Sequence, residues 1–145
     1  MFIKKIESLD YSAGEFVISD GINEIKGTCV SLPMPDDKKP FVGMNIISLK
    51  AFFFDAPEIK IIRNTKDQNY LIKKIDPIYG LDYKVQGIVI DEKNFLIKVY
   101  DFIVSLEYEF GDAYCDNKEF KFKNGDWLSF VVDRFDIFVC DDIFA

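Results

Sequence analysis

Hydrophobic and polar residues alternate with a period of two along much of this chain. In residues 96–110, apolar side chains occupy seven of the eight even positions, and four of the seven odd positions are polar. A period of two is typical of a strand with one buried face. Residues 127–132 are apolar on both faces, which predicts a central strand. The apolar phase then switches at Arg134, which predicts a bulge or bend there.

Polar turn signals divide these alternating runs into hairpins. Asn124-Gly125 and Asp20-Gly21 each lie between two such runs, and residues 91–94 predict a four-residue loop. For Asn124-Gly125 we expect a type I′ turn, because that turn needs positive φ at both central residues.

The predicted fold class is all-β with minor helix. We expect about nine or ten strands in an antiparallel sandwich or an OB-like barrel. The best helix candidate is short, at residues 69–75, and a strand fits that segment almost as well. A length of 145 residues predicts one compact domain, residues 1–145.

An internal duplication of about residues 8–62 and 80–141 is a second interpretation of the same pattern. Five residues match five others at a constant offset of 72, although alternating sequences match one another easily. The matches are Phe16, Val17, Ile18, Ile25 and Lys26 with Ile88, Val89, Ile90, Ile97 and Lys98.

The net negative charge of the chain comes from its last third. Residues 1–100 carry 14 Lys/Arg and 14 Asp/Glu, whereas residues 101–145 carry 4 and 11, which accounts for the whole net charge of −7. A localised field selects binding partners by charge. The chain shows no signal-peptide pattern and no apolar run near the ~20 residues that span a bilayer, so we expect no membrane association and a cytoplasmic location. Three widely spaced cysteines predict reduced thiols rather than a disulfide framework.

The sequence contains no histidine, which removes the commonest general base and metal ligand. A catalytic Ser-His-Asp set, a mixed zinc site and a phosphate-binding loop are therefore not expected. We predict no catalytic residues, no metal and no cofactor, so the protein is not expected to be an enzyme. A pair of carboxylates could still hydrolyse glycosides, which remains an open alternative.

Acidic and aromatic residues interleave toward the carboxyl terminus. Residues 126–145 contain five aspartates against a single arginine. Charge steers a basic partner and aromatic side chains anchor it, so this pattern predicts a protein interface. An edge strand whose charges block aggregation is the competing interpretation. The predicted partner-binding residues are Asp112, Tyr114, Asp116, Asp133, Phe135, Asp136, Asp141, Asp142 and Phe144.

Our leading hypothesis is a non-catalytic acidic protein that masks or inhibits a basic protein partner. In size, charge and lack of catalytic groups the chain resembles bacterial immunity proteins, which implies neutralisation of a basic toxin nuclease. One alternative is a structural subunit of a larger assembly.

Another alternative is an OB-like module that binds a single-stranded nucleic acid or a small ligand. Residues 125–130 resemble a strand entry common in OB-like barrels, many of which stack single strands on aromatic side chains. The acidic total charge makes nucleic acid the less expected partner. The candidate residues for this alternative are Tyr70, Tyr79, Tyr83, Tyr100, Lys73 and Lys74.

Overall fold

The structure, a computed structural model, describes seven stretches of the chain. They are residues 1–9, 13–29, 40–53, 59–62, 71–74, 83–106 and 122–137, and for residues 71–74 the backbone alone is described. These stretches contain eleven strands and no helix. In chain order the strands are β1 Phe2–Leu9, β2 Gly14–Ser19, β3 Glu24–Cys29, β4 Leu49–Phe52, β5 Lys60–Ile62, β6 Leu71–Lys74, β7 Tyr83–Asp91, β8 Leu96–Val99, β9 Phe102–Ser105, β10 Trp127–Val132 and β11 Arg134–Asp136.

The predicted all-β class is confirmed. The centre of the short helix candidate forms strand β6 instead. The expected central strand is β10, which has β7 on one side and β5 on the other, and the expected bend lies at Asp133 between β10 and β11. None of the described stretches contains a helix that is long and apolar enough to cross a membrane.

All eleven strands belong to one mixed sheet. Its order is β1-β2-β3-β11-β4-β9-β8-β7-β10-β5, and β6 pairs with β7 beside this path. The sheet departs from the expected antiparallel arrangement at two pairs of strands, because β3 pairs with β11 and β4 pairs with β9 in parallel. The two strands of each parallel pair are far apart in the chain, which parallel pairing requires because a tight hairpin can join only antiparallel strands. The sheet is not closed over the described stretches, which agrees with a sandwich and leaves the OB-like barrel a prediction.

A three-stranded antiparallel meander occurs twice in the described stretches. One meander, β1-β2-β3, is followed by β4, and a second meander, β7-β8-β9, is followed by β10 and β11. The hairpins correspond in register, since Ile18 pairs with Ile25 and Ile97 pairs with Val104, seven residues apart in both cases.

Two tight turns also correspond between the halves. Gly43 and Gly125 have φ of 92° and 90°, and they donate their N–H groups to the carbonyls of Ile3 and Val89 at 2.7 and 2.9 Å. A turn is present at Asn124-Gly125, but it does not join the expected hairpin, because β10 pairs with β7 and β5. Its type is not I′, because within this turn φ is positive at Gly125 alone. Positive φ at the third turn residue is instead the requirement of a type II turn.

One strand that follows each meander lies against the other meander at the centre of the sheet. β4 lies against β9 of the second meander, and β11 lies against β3 of the first. β4 and β11 pair with each other, with Phe135 opposite Ala51. The strand order is therefore approximately two-fold symmetric about this pair. The residues matched at the offset of 72 lie on β2 with β7 and on β3 with β8, which are not corresponding strands, and duplication stays a prediction.

The other two predicted hairpin loops are confirmed and share one local design. In each loop an aspartate carboxylate accepts hydrogen bonds from the backbone N–H groups of the second and third residues after it. It also accepts one from the side-chain amide of the asparagine three residues later, which is Asn23 for Asp20 and Asn94 for Asp91. The side-chain amide of Asn94 is the main cause that lowers the pKa of the Asp91 carboxyl below its ordinary value. Partial burial acts to raise the pKa of Asp20, but its hydrogen bonds together lower it.

The mixed sheet folds around one core that both halves supply. The backbone N–H of Lys26 on β3 donates to the hydroxyl of Tyr83 on β7 at 2.9 Å, although these strands lie far apart in the sheet order. The N–H of Asp101 likewise donates to Asp20 in the other half. The largest fully buried side chains, which share one cluster, are Phe16, Phe102, Phe135, Ile3, Ile18, Leu49, Ile97, Leu106, Leu128, Ile137 and Val85.

We predict that Gly87→Ala strongly destabilises the protein. A Cβ at this position would lie 2.5 Å from Val99, 2.6 Å from Ile97 and 2.7 Å from the backbone oxygen of Lys98. Because the backbone of β8 cannot yield as a side chain can, we expect a loss of about 1–3 kcal/mol in the free energy of unfolding. Urea denaturation followed by circular dichroism measures it.

Glu15→Ala is the control for this prediction. Glu15 is exposed on β2, so its truncation should change the free energy of unfolding by less than about 0.5 kcal/mol. Equal midpoints for the two variants would show that β7 and β8 do not approach as closely as described.

Candidate functional site

The described part of the predicted partner-binding set lies on or beside the central strand β11. Asp133 is at the bend that precedes β11, and Phe135 and Asp136 belong to the strand itself. The other six residues lie outside the described stretches, and their contact with a partner stays a prediction. They are Asp112, Tyr114, Asp116, Asp141, Asp142 and Phe144.

Asp136 forms an ion pair with Arg134 inside the fold. Its side chain is buried, and the residue is 5% exposed. Arg134 donates from Nε to Oδ1 at 2.7 Å and from Nη2 to Oδ2 at 3.2 Å, and the hydroxyl of Thr28 donates to Oδ1 at 2.6 Å. The guanidinium also stacks 3.9 Å above the ring of Phe52. The carboxylate thus joins β11 to β3, and its cation joins β11 to β4.

Phe135 belongs to the core and does not reach the surface. Its side chain is fully buried, and its ring centroid lies 5.4 Å from that of Tyr83. Burial raises the pKa of the Tyr83 hydroxyl, which accepts the Lys26 hydrogen bond described above. Because a buried ring cannot touch a partner in the folded protein, the structure assigns Phe135, and Tyr83 of the alternative site, to the scaffold.

Asp133 is the one described residue of the predicted set that is partly accessible. It lies where β10 bends into β11, and its backbone N–H donates to the carbonyl of Phe52 at 3.0 Å. This bond fixes the bend, which carries the chain from the β7 side of the sheet to its centre.

The predicted residues Asp112, Tyr114 and Asp116 lie in the sequence between two described residues that contact the same side chain or its backbone. Leu106 precedes the segment 107–121 and donates its N–H to the carbonyl of Phe95 at 2.9 Å. Phe122 follows the segment, and its ring packs edge-on against the ring of Phe95 with centroids 5.7 Å apart. The two flanking residues therefore meet at Phe95.

Most of the acidic excess of residues 101–145 belongs to residues outside the described stretches. Within 101–145 the described residues contain two Lys/Arg and four Asp/Glu, whereas residues 107–121 and 138–145 together contain two and seven.

The described stretches contain a groove but no cluster of metal-binding side chains. No group of three Asp, Glu or Cys side chains that could hold a metal ion occurs in the described stretches, and Cys29 is a buried thiol. A groove on the outer face of β10, lined by Lys60 and Lys84 among others, was missed by the sequence analysis. The alternation of β7 shows that Lys84 faces outward, but nothing in the sequence indicated that β5 would pair with β10 and bring Lys60 beside it.

We predict a strong energetic coupling between Arg134 and Asp136. Arg134→Gln leaves a buried carboxylate without its cation, and we expect a loss of about 2–3 kcal/mol, below the fully buried range because Arg134 is partly exposed. Asp136→Asn should cost about 1–2 kcal/mol. A double-mutant cycle by urea denaturation should return a coupling of about 1–2 kcal/mol.

The matched control is the exposed pair of Lys98 and Asp101, whose charged atoms are 3.7 Å apart. Lys98→Gln with Asp101→Asn should show a coupling below about 0.5 kcal/mol. An Arg134–Asp136 coupling no larger than this control would contradict the internal role assigned to Asp136.

Comparison with known proteins finds no matching family model, no similar curated protein and no similar solved structure. The function is therefore inferred from the charges and contacts of this chain alone.

Proposed function

We propose that the protein is a non-catalytic binding protein that masks a basic protein partner. The observation that carries this proposal is the separation of charge within the chain. Residues 1–100 carry fourteen Lys/Arg and fourteen Asp/Glu, whereas residues 101–145 carry four and eleven. A field of one sign confined to particular segments steers an oppositely charged partner toward them.

The burial of Phe135 and Asp136 removes both residues from the proposed partner contacts. Because Phe135 and Asp136 hold the centre of the sheet, the proposed partner contacts are the acids and aromatics of residues 107–121 and 138–145. Asp133 at the bend can add one accessible charge. Tyr114 and Phe144 are the proposed aromatic anchors, since large rings supply much of the binding energy at protein interfaces.

The two described residues that flank segment 107–121 support this assignment. Leu106 and Phe122 both contact Phe95, so the acids and the tyrosine between them in the sequence leave and rejoin the scaffold at one place.

The proposed class of partner is a basic toxin nuclease, and the proposed compartment is the cytoplasm. A nuclease needs a basic surface to bind its substrate, so an acidic protein can occupy that same surface. This role resembles that of immunity proteins and needs no catalytic residue, cofactor or metal in the inhibitor.

Affinity capture at two salt concentrations tests the proposal. The tagged protein is incubated with lysate of its source organism, and bound proteins are identified by mass spectrometry at about 50 mM and 500 mM salt. We expect a basic protein that binds at low salt and is lost at high salt, because exposed charges are screened. The quadruple variant Asp112→Asn, Asp116→Asn, Asp141→Asn and Asp142→Asn should reduce its recovery about tenfold or more, which corresponds to about 0.4 kcal/mol per charge.

The control variant removes exposed acids from the described scaffold, by Glu15→Gln with Glu92→Gln. Its recovery of the basic protein should equal that of the unchanged protein. The proposal is rejected when no basic protein is captured, or when the quadruple variant and the control behave alike.

A further inference from the structure

A groove crosses the outer face of β10, where β5 and β7 flank that strand. Its volume is about 600 Å³, within the range of about 300–1,000 Å³ that holds small ligands. Ser129 lies at its middle, opposite Lys60 of β5 and Gln86 of β7. Lys84 lies one step further along, opposite Val131.

The groove carries positive charge that no described carboxylate balances. Lys60 and Lys84 are exposed, and neither forms an ion pair within the described stretches. The cations of the scaffold that do form ion pairs with described acids lie elsewhere, and they are Lys4, Lys26, Lys98 and Arg134. Among the described residues that line the groove there is no Asp or Glu. Its two lysines are therefore available for an anion.

A hydroxyl group lies between the two lysines. Ser129 is partly exposed and forms no side-chain hydrogen bond in the part of the chain that the structure describes. Lysines around a hydroxyl match the charge and hydrogen-bond acceptors of a phosphate group.

An apolar surface adjoins this polar centre. Ile62 and Val131 line the groove, and Val131 is 49% exposed. Trp127 lies two residues before Ser129, on the same face of β10 and opposite Ile62. An indole and two aliphatic side chains beside a phosphate position are suited to a flat ring joined to that phosphate.

We propose that the groove binds a mononucleotide, with its phosphate at Lys60, Lys84 and Ser129 and its base against Trp127. The net charge of −7 opposes a long polyanion, whereas a compact phosphate is governed mainly by the nearby lysines. The site uses none of the acidic residues proposed for protein binding and stands independently of that function.

The emission of Trp127, the single tryptophan of the chain, reports binding directly. We expect a saturable change on titration with adenosine diphosphate at low salt, with a dissociation constant on the order of 1 mM or below. Amide chemical shifts of residues 84–86 and 129–131 should move in the same titration. Adenosine and inorganic phosphate, which each lack one half of the proposed ligand, should bind at least about tenfold more weakly.

Lys60→Gln with Lys84→Gln should weaken adenosine diphosphate about tenfold or more, and Ser129→Ala about threefold. The matched control is Lys5→Gln with Lys93→Gln, two exposed lysines outside the groove, and it should bind like the unchanged protein. Urea midpoints confirm that each variant is folded.

Three results would overturn the proposal. The first is the absence of both an emission change and amide shifts at about ten times the expected dissociation constant. The second is equal weakening by the groove and control variants. The third is tighter binding of a ten-residue thymidine oligonucleotide with the same sensitivity to the groove variants, which would identify a single-strand site instead.

Discussion

A row of residues at the centre of the sheet, Gly27, Phe135 and Ala51, joins strands of the two halves. Phe135 of β11 is opposite Gly27 of β3 on one side and Ala51 of β4 on the other. A Cβ at Gly27 would lie 2.6 Å from Ile18, so close packing at this position depends on the absence of a side chain. Because β11 pairs with β3 and β4 pairs with β9, the packing of this region holds both meanders on a common core.

The same exchange buries a charged side chain at the centre of the sheet. It encloses Asp136, whose carboxylate would be costly to bury without Arg134 and Thr28. One acid of the interleaved acidic and aromatic run therefore serves the cohesion of the fold. Lys60 and Lys84, on the two strands that flank β10, form no ion pair with a described acid.

Short-range patterns in the sequence predicted the strands and hairpins but not the parallel pairings. Alternation and the Asp-Gly signal correctly indicated β2, β3 and their loop, because these features depend on neighbouring residues. No local pattern specifies that β11 lies between β3 and β4. Interleaved acids and aromatics suggested an exposed face at residues 133–136. Arg134 and Asp136 are two residues apart, so alternation places them on one face of a strand, and this spacing was the available signal for their ion pair. Thr28 could not be foreseen, since it comes from a distant strand.

The central claim is that exchange of β4 and β11 makes the two halves one cooperative unit. Native-state hydrogen exchange measures it most directly, by comparing amides of the β2–β3 and β8–β9 hairpins across a series of denaturant concentrations. The account predicts that both hairpins, together with the amide of Phe135, exchange with one free energy equal to that of global unfolding. Persistent protection of one hairpin after the other has opened would contradict it.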